Sequence, residues 1–321
     1  PMRELIKKTA LRTLELEARS VEGLRSSITD EFVKAVEALA STKGRVVISG
    51  IGKSAVIAQK MVATFNSTGT PSIFMHAADA IHGDLGMIQQ NDIVVILSKS
   101  GESPEIKVLV QLIKNFGNII IAIVGNTKSF LASQSSLILD TTVEQEACPN
   151  NLAPTSSTTA QLVMGDMLAI CLMELKGFKS TDFAKFHPGG VLGKKLYLRV
   201  QDLAIQNEKP VVSVSQSLRD VIVTMTTSRL GVTAVVDEAE KLVGIITDGD
   251  LRRLLEKNIP IDGMSAGQIM TQHPVTIAPD ELAVSALDLL RKNKITQVAI
   301  AQNQQYLGII HIHDLLREGI L

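Results

Sequence analysis

Two short stretches of the sequence bring glycine, hydroxyl and lysine groups together directly after an apolar run. SGIGKSA stands at 49–55 behind RVVI, and SKSGES stands at 98–103 behind DIVVIL. Glycines let the backbone approach a ligand closely, the first amides of a following helix point outward, and Lys53 and Ser54 add a charge and a donor. A turn of that composition holds a phosphate or another anion. Spacing excludes a nucleotide P-loop, because the place where its first glycine must stand holds Val47. GIGKSA does fit the looser dinucleotide pattern G-x-G-x-x-A. That pattern also requires an acidic residue closing the second strand, and here the strand ends at His76 with Asp79 beyond it. A tight turn with a helix cap accounts for Gly50 and Ser54 but not for a lysine. A third hydroxyl-rich stretch, APTSSTT at 153–159, reads as either a further wall of the site or a helix cap.

Particular elements must carry these turns if they are to face one ligand. Short apolar runs alternate with helical stretches: RVVIS, PSIFMH, DIVVILS, IIIAIV and LILD. Runs this apolar suit strands buried on both faces, and the intervals suit crossover helices. The sequence therefore predicts an α/β fold with a five-stranded, doubly wound parallel sheet. In the flavodoxin-like order 2-1-3-4-5, strands one and three are neighbours whose crossovers leave on opposite faces, so their C-terminal turns frame one crevice. Ahead of the sheet, Leu11, Leu14, Val21, Leu24 and Ile28 recur between Glu and Arg, the pattern of one or two amphipathic helices. A helix at about 158–176 carries Met164, Met167 and Met173, which read as core filling rather than a cofactor box.

Composition narrows the function classes. With 321 residues, 45% of them hydrophobic, the chain is long enough for two or three domains. A net charge of -1, 3% aromatic residues and no tryptophan leave neither a basic stripe nor a stacking platform for nucleic acid. No purely apolar run approaches the roughly 20 residues that span a bilayer, and the N-terminus shows no signal-peptide core, so no membrane is expected and the expected location is the cytoplasm. Cys148 and Cys171 make no metal or disulfide spacing and read as reduced thiols. Pro1, ahead of Met2, is set aside.

Past about residue 200 the chain repeats itself. A slide of 64 positions matches Pro210 with Pro274, Leu218 with Leu282, GII at 244 with GII at 308, Asp250 with Asp314 and Arg253 with Arg317, without a gap. Each copy reads as a short strand after its proline, a helix, two strands and a closing helix. These copies resemble paired cystathionine-beta-synthase (CBS) modules, of α+β build. The resemblance implies a nucleotide-type ligand at the pair, with Thr247, Asp248 and Asp250 as ribose contacts. The second copy has His311, Ile312 and Asp314 at the matching places.

The turns of the first half resemble the sugar isomerase (SIS) domain. With HGDLGM at 82–87, EACPNNLAPTSSTT at 146–159, HPGGVLG at 187–193 and the C-terminal pair, the whole chain resembles the D-arabinose 5-phosphate isomerase family. The expected domains are N-terminal helices at 1–40 belonging to the SIS domain, the SIS domain at 41–196, and CBS modules at 203–262 and 267–321.

That resemblance implies an aldose–ketose isomerase that interconverts D-ribulose 5-phosphate and D-arabinose 5-phosphate through an enediol, the first step toward Kdo for lipopolysaccharide or capsule. It assigns catalysis to Lys53, Glu105, Glu146 and His187. Glu146 is the leading base, its enclosure expected to raise its pKa toward neutrality, with Glu105 as partner acid or in the exchanged role. Substrate contacts are assigned to Gly52, Ser54, Gly69, Thr70, His76, His82, Ser98, Ser100, Gly101, Ser103, Ser156 and Ser157. No cofactor is required, although His76 matches a place where zinc binds in the family, and a homotetramer is implied. Two further readings are a non-catalytic sugar-phosphate sensor and an isomerase of another phosphosugar. Sensors of this type carry a helix-turn-helix domain, for which the 40 or so residues before the first strand leave little room, and this favours the enzyme.

Overall fold

Strands form where β-branched and aliphatic residues run without a polar break, because each such run can be covered on both faces. The computed structural model describes residues 2–257 and 262–320. The chain forms two compact units, dividing between Phe183 and Ala184, upstream of the domain limit expected at 196. The expected span of the first CBS module includes 258–261, and the chain's end includes Leu321; these lie outside the described residues.

The first unit begins with helices α1 (Met2–Gly23) and α2 (Asp30–Ser41). Strands β1 (Val46–Gly50), β2 (Ser72–His76), β3 (Ile93–Ser98), β4 (Ile120–Val124) and β5 (Leu137–Asp140) follow. They alternate with α3 (Lys53–Ser67), α4 (Ala77–Ala80), α5 (Pro104–Phe116), α6 (Phe130–Gln134) and the long α7 (Ser156–Lys176). All neighbouring strands are parallel, in the order β2-β1-β3-β4-β5. Every residue of β1, β3 and β4 is buried. Side chains alternate between two cores: Val46 and Ile48 join α2, α3 and α7, while Val47 and Ile96 join α5 and α6. The helices after β1 and β3 thus lie on opposite faces, as the sequence predicts for the β1/β3 switch point.

Helix α7 is long and apolar enough to cross a membrane by length and composition, yet it packs against α1, α2 and α3. Met164 is fully buried in the sheet core and Met167 packs against it, while Met173 stays half-buried. The two expected N-terminal helices are present; in α1 Leu16, with Leu24 just beyond, turns inward, whereas Leu11 and Leu14 are 60% and 66% exposed. Leu16 and Leu24 share one helical face, and Leu11 and Leu14 fall on the other side.

In the second unit come α9 (Val191–Tyr197) and α10 (Val200–Ala204), with α8 (Ser180–Phe186) running across the division. The first repeat contains β6 (Val211–Ser213), α11 (Leu218–Ser228), β7 (Val232–Val236), β8 (Leu242–Thr247) and α12 (Asp248–Glu256). A short α13 (Ala266–Ile269) and β9 (Thr271–Gln272), not anticipated from sequence, add an edge to its sheet. The second repeat contains β10 (Thr276–Ile277), α14 (Ala283–Asn293), β11 (Gln297–Gln302), β12 (Gln305–His311) and α15 (Ile312–Arg317). Both sheets pair their first two strands parallel and the next two antiparallel. Val232 and Ala234 of one copy and Ala299, Tyr306 and Ile309 of the other share one apolar cluster. Pairing the copies buries a face that neither covers alone.

Candidate active site

Gly50 at the end of β1 lies in register with Leu97 of β3 and with His76 of β2, so the turns after these strands open on one edge of the sheet. In the first turn Gly52 adopts φ 58° as the N-cap of α3 and leaves Lys53 exposed as its first residue, with Ser54 half-buried behind it. Open space surrounds Gly52, since a β-carbon there would meet nothing within 4 Å.

The second turn is tightly built. Ser98 Oγ accepts the Gly101 amide at 2.9 Å, and Ser100 Oγ accepts the Glu102 amide at 3.2 Å. A hydroxyl that accepts an N–H still has its own O–H to donate, so both remain able to serve a ligand anion. Gly101 has φ 66°, and a β-carbon would come within 2.1 Å of Ser129 Oγ, so only glycine fits. Ser103 stands at the N-cap of α5 with a buried hydroxyl that meets no protein partner, and Glu105, half-buried, lies in the first turn of that helix.

Glu146 comes from the loop after β5 and is fully buried. Its Oε2 accepts the Thr155 amide at 2.8 Å, the Thr155 hydroxyl at 3.2 Å and the Ser157 amide at 3.2 Å. Its Oε1 meets Lys99 Nζ at 2.8 Å. Its own amide donates to Asn151 Oδ1 at 2.7 Å. The carboxylate thereby sits on the positive end of α7. Here the expectation of a raised pKa is corrected. Burial does push it upward, but Lys99, Ser157 and the Thr155 amide together outweigh burial and hold the carboxyl down at about 2. Ser49 in β1 and Ser156 in α7 also carry buried hydroxyls without a protein partner. Buried polar groups ordinarily find partners, and an edge with several unsatisfied hydroxyls is shaped for a polar ligand.

The remaining predicted residues are dispersed. His76 Nδ1 accepts the Ala78 amide at 3.3 Å and so caps α4, leaving Nε2 to carry the proton. His82 is exposed in the turn after α4. The surroundings of His76 do not fit a zinc ion: Asp79 Oδ2 stands 3.9 Å from Nδ1, and no group of three metal-ligating side chains occurs among the described residues. Gly69 and Thr70 precede β2 and therefore lie on the opposite, N-terminal edge of the parallel sheet, where Thr70 Oγ1 accepts Lys176 Nζ at 2.9 Å. They are not neighbours of the crevice. His187 belongs to the second unit, where its carbonyl accepts the Gly190 amide at 3.1 Å. No hydrogen bond or ion pair joins Lys53, Glu105 and Glu146 to one another among the described residues.

Sequence reasoning missed Lys99, although it is the one cation inside SKSGES. A lysine between two serines of an anion-type turn was the available signal; its partner, remote along the chain, was not legible.

In the second unit Thr247 and Asp250 form a capping box at the start of α12. Asp250 Oδ2 accepts the Thr247 amide at 2.8 Å and its hydroxyl at 2.7 Å, while Oδ1 takes Arg253 at 2.6 Å and Thr271 at 3.2 Å. His311 and Asp314 build the same box at α15, with Arg317 paired to Asp314. The repeated Asp and Arg thus hold helix starts in both copies. Asp248 lies beside Gly231, whose carbonyl accepts its amide at 3.0 Å.

This arrangement defines a SIS domain followed by a CBS pair: the SIS domain model matches residues 38–171, and the CBS domain model matches 200–257 and 266–320. Over 315 residues the chain is 47% identical to arabinose 5-phosphate isomerase KdsD of Pseudomonas aeruginosa, covering 98% of this chain and 97% of that protein. It is 44% identical to KdsD of Escherichia coli K12 over 96% of this chain and 94% of that one. The chain belongs to the arabinose 5-phosphate isomerase KdsD family. Among solved structures, an Escherichia coli CFT073 protein in complex with arabinose 5-phosphate matches with a TM-score of 0.55 and 41% identity, over 58% of this chain and 97% of that one.

Proposed function

We propose that this chain is an aldose–ketose isomerase that interconverts D-ribulose 5-phosphate and D-arabinose 5-phosphate. The observation that carries this reading is Glu146, a fully buried carboxylate fixed at the start of α7 and paired with Lys99 of the second anion-type turn. Glu146 takes a proton from C1 of the ketose. The released electron pair forms the C1–C2 double bond, and the C2 carbonyl oxygen takes up the charge. Glu105 moves the hydroxyl proton from O1 to O2, and return of a proton to C2 leaves the aldehyde at C1. Exchange of roles between the two carboxylates gives the same products. Lys53 steadies negative charge on the enediolate or the phosphate, and His187 opens the furanose ring. The hydroxyls of Ser98, Ser100, Ser103, Ser156 and Ser157, with the Gly52 turn, hold the sugar phosphate. A proton shift of this kind needs no redox or organic cofactor.

The test supplies purified protein with ribulose 5-phosphate and follows arabinose 5-phosphate by NMR. Turnover is expected, with a loss of about 10²- to 10⁴-fold in Glu146→Gln. Phosphosugar binding without turnover in the wild type would instead establish a sensor.

Further parts of the reading have their own support. Leu5, Ile6 and Leu14 of α1 are 65%, 62% and 66% exposed, on more than one side of the helix, and large exposed aliphatic side chains of this kind suit burial in a homotetramer. Two free cysteines suit the cytoplasm. The CBS pair takes a nucleotide-type ligand, and the product enters the route to Kdo.

A further inference from the structure

The pair formed by Lys99 and Glu146 is lopsided. Glu146 is wholly enclosed, and three donors from the start of α7 hold its Oε2. The Lys99 side chain is 47% exposed on the turn that also carries Ser98, Ser100 and Gly101. It can swing outward at little desolvation cost, while its partner is enclosed. Lys99 is also the one charged side chain within ion-pair reach of Glu146 among the described residues. The start of α7 offers amides and hydroxyls, and the loop of Glu146 itself offers Asn151.

We infer that Lys99 is a positioning residue that acts as a substrate-operated latch: it occupies Glu146 Oε1 until a phosphate dianion entering the 98–103 turn draws the ammonium away. This inference rests on the isomerase reading above. A dianion outcompetes a carboxylate for an ammonium group. Lys99 apart, Oε1 has no hydrogen-bond partner among the described residues, so once Lys99 leaves, the buried carboxylate keeps only the donors to Oε2 and holds a proton more tightly. Lys99 is the foremost of the groups that hold Glu146 down, so its departure removes the largest opposing influence. The latch makes Glu146 a competent base only when the phosphate is seated, and it spares the free protein an isolated buried charge.

The experiment separates phosphate from sugar. Full-length wild type is given phosphate-free D-ribulose, with and without phosphite dianion as a detached activator. Phosphite is expected to accelerate turnover by at least about tenfold, the equilibrium factor of one pKa unit. In Lys99→Met the unactivated rate rises and the phosphite effect disappears; Lys99→Arg restores part of it. A second readout needs no variant. In wild type near pH 6, inorganic phosphate should bring up the infrared band of a protonated carboxyl group, and that band should be missing in Glu146→Gln. If wild type isomerises ribulose 5-phosphate but phosphite acts equally on wild type and Lys99→Met, or not at all, or if phosphate brings up no such band, the latch is wrong and the isomerase stands. If ribulose 5-phosphate itself is not turned over, the reading beneath it fails.

Discussion

Thr155 holds Glu146 twice, its amide at 2.8 Å and its hydroxyl at 3.2 Å from the same carboxylate oxygen, while that hydroxyl also accepts the Ala147 amide at 2.9 Å. One side chain therefore ties the loop of the base to the start of α7. Thr155→Val keeps the shape and removes every hydroxyl bond, leaving the Ala147 amide without its partner. The expected cost is about 1 to 3 kcal/mol in urea unfolding, with a fall in kcat that Thr155→Ser recovers.

Acid should weaken the fold through Glu146. Its folded-state pKa of about 2 lies below the ordinary 4.5, so the unfolded chain binds the proton more readily. The stabilisation is fully present above the ordinary value and is lost as pH falls toward the folded one. Denaturant unfolding of wild type and Glu146→Gln across that range should show the wild-type advantage shrinking steadily with acidity. An advantage that grew toward low pH would contradict the ion pair.

Gly101→Ala should damage the second turn. At φ 66° a side chain is strained, and the added carbon would lie 2.1 Å from Ser129 Oγ. A loss of about 1 to 3 kcal/mol is expected in thermal unfolding, with KM for the phosphosugar raised more than kcat is lowered, since the turn holds the phosphate.

Asp250 tests what the repeated acid does. Its carboxylate bonds to Thr247, Arg253 and Thr271 serve the start of α12 and its neighbours, so Asp250→Ala should cost about 0.5 to 2 kcal/mol in the second unit with no nucleotide present. An adenine nucleotide should raise the wild-type melting temperature; the absence of any shift across adenine nucleotides would remove them as ligands of the pair.

The exposed leucines of α1 test the assembly. Under the proposed tetrameric assembly, Leu5→Glu with Leu14→Glu should lower the mass measured by light scattering, because a charge replacing a leucine 65% or 66% exposed in the single chain is costly only where an interface covers that position.

Much of this was legible in the chain. Fully apolar runs mark strands covered on both faces, and their alternation with helices marks a doubly wound parallel sheet; the flavodoxin-like order taken for it matches the observed β2-β1-β3-β4-β5, with the turns at 49–54 and 98–103 on one edge. The 64-residue repeat announced the twin modules, down to Asp250 and Asp314. Local pattern carries no information about which distant groups meet. Folding brought Lys99 onto Glu146 and turned the expected rise in that carboxyl's pKa into a fall to about 2, because a charge and three donors outweigh burial. It also sent Gly69 and Thr70 to the far edge of the sheet, since a loop entering a parallel strand opens opposite to one leaving it, and it left Leu11 and Leu14 on the outer side of α1. Hydrophobic periodicity is a property of neighbours in the chain and can be read there; electrostatic environment depends on neighbours in space, and only the packed structure decides it.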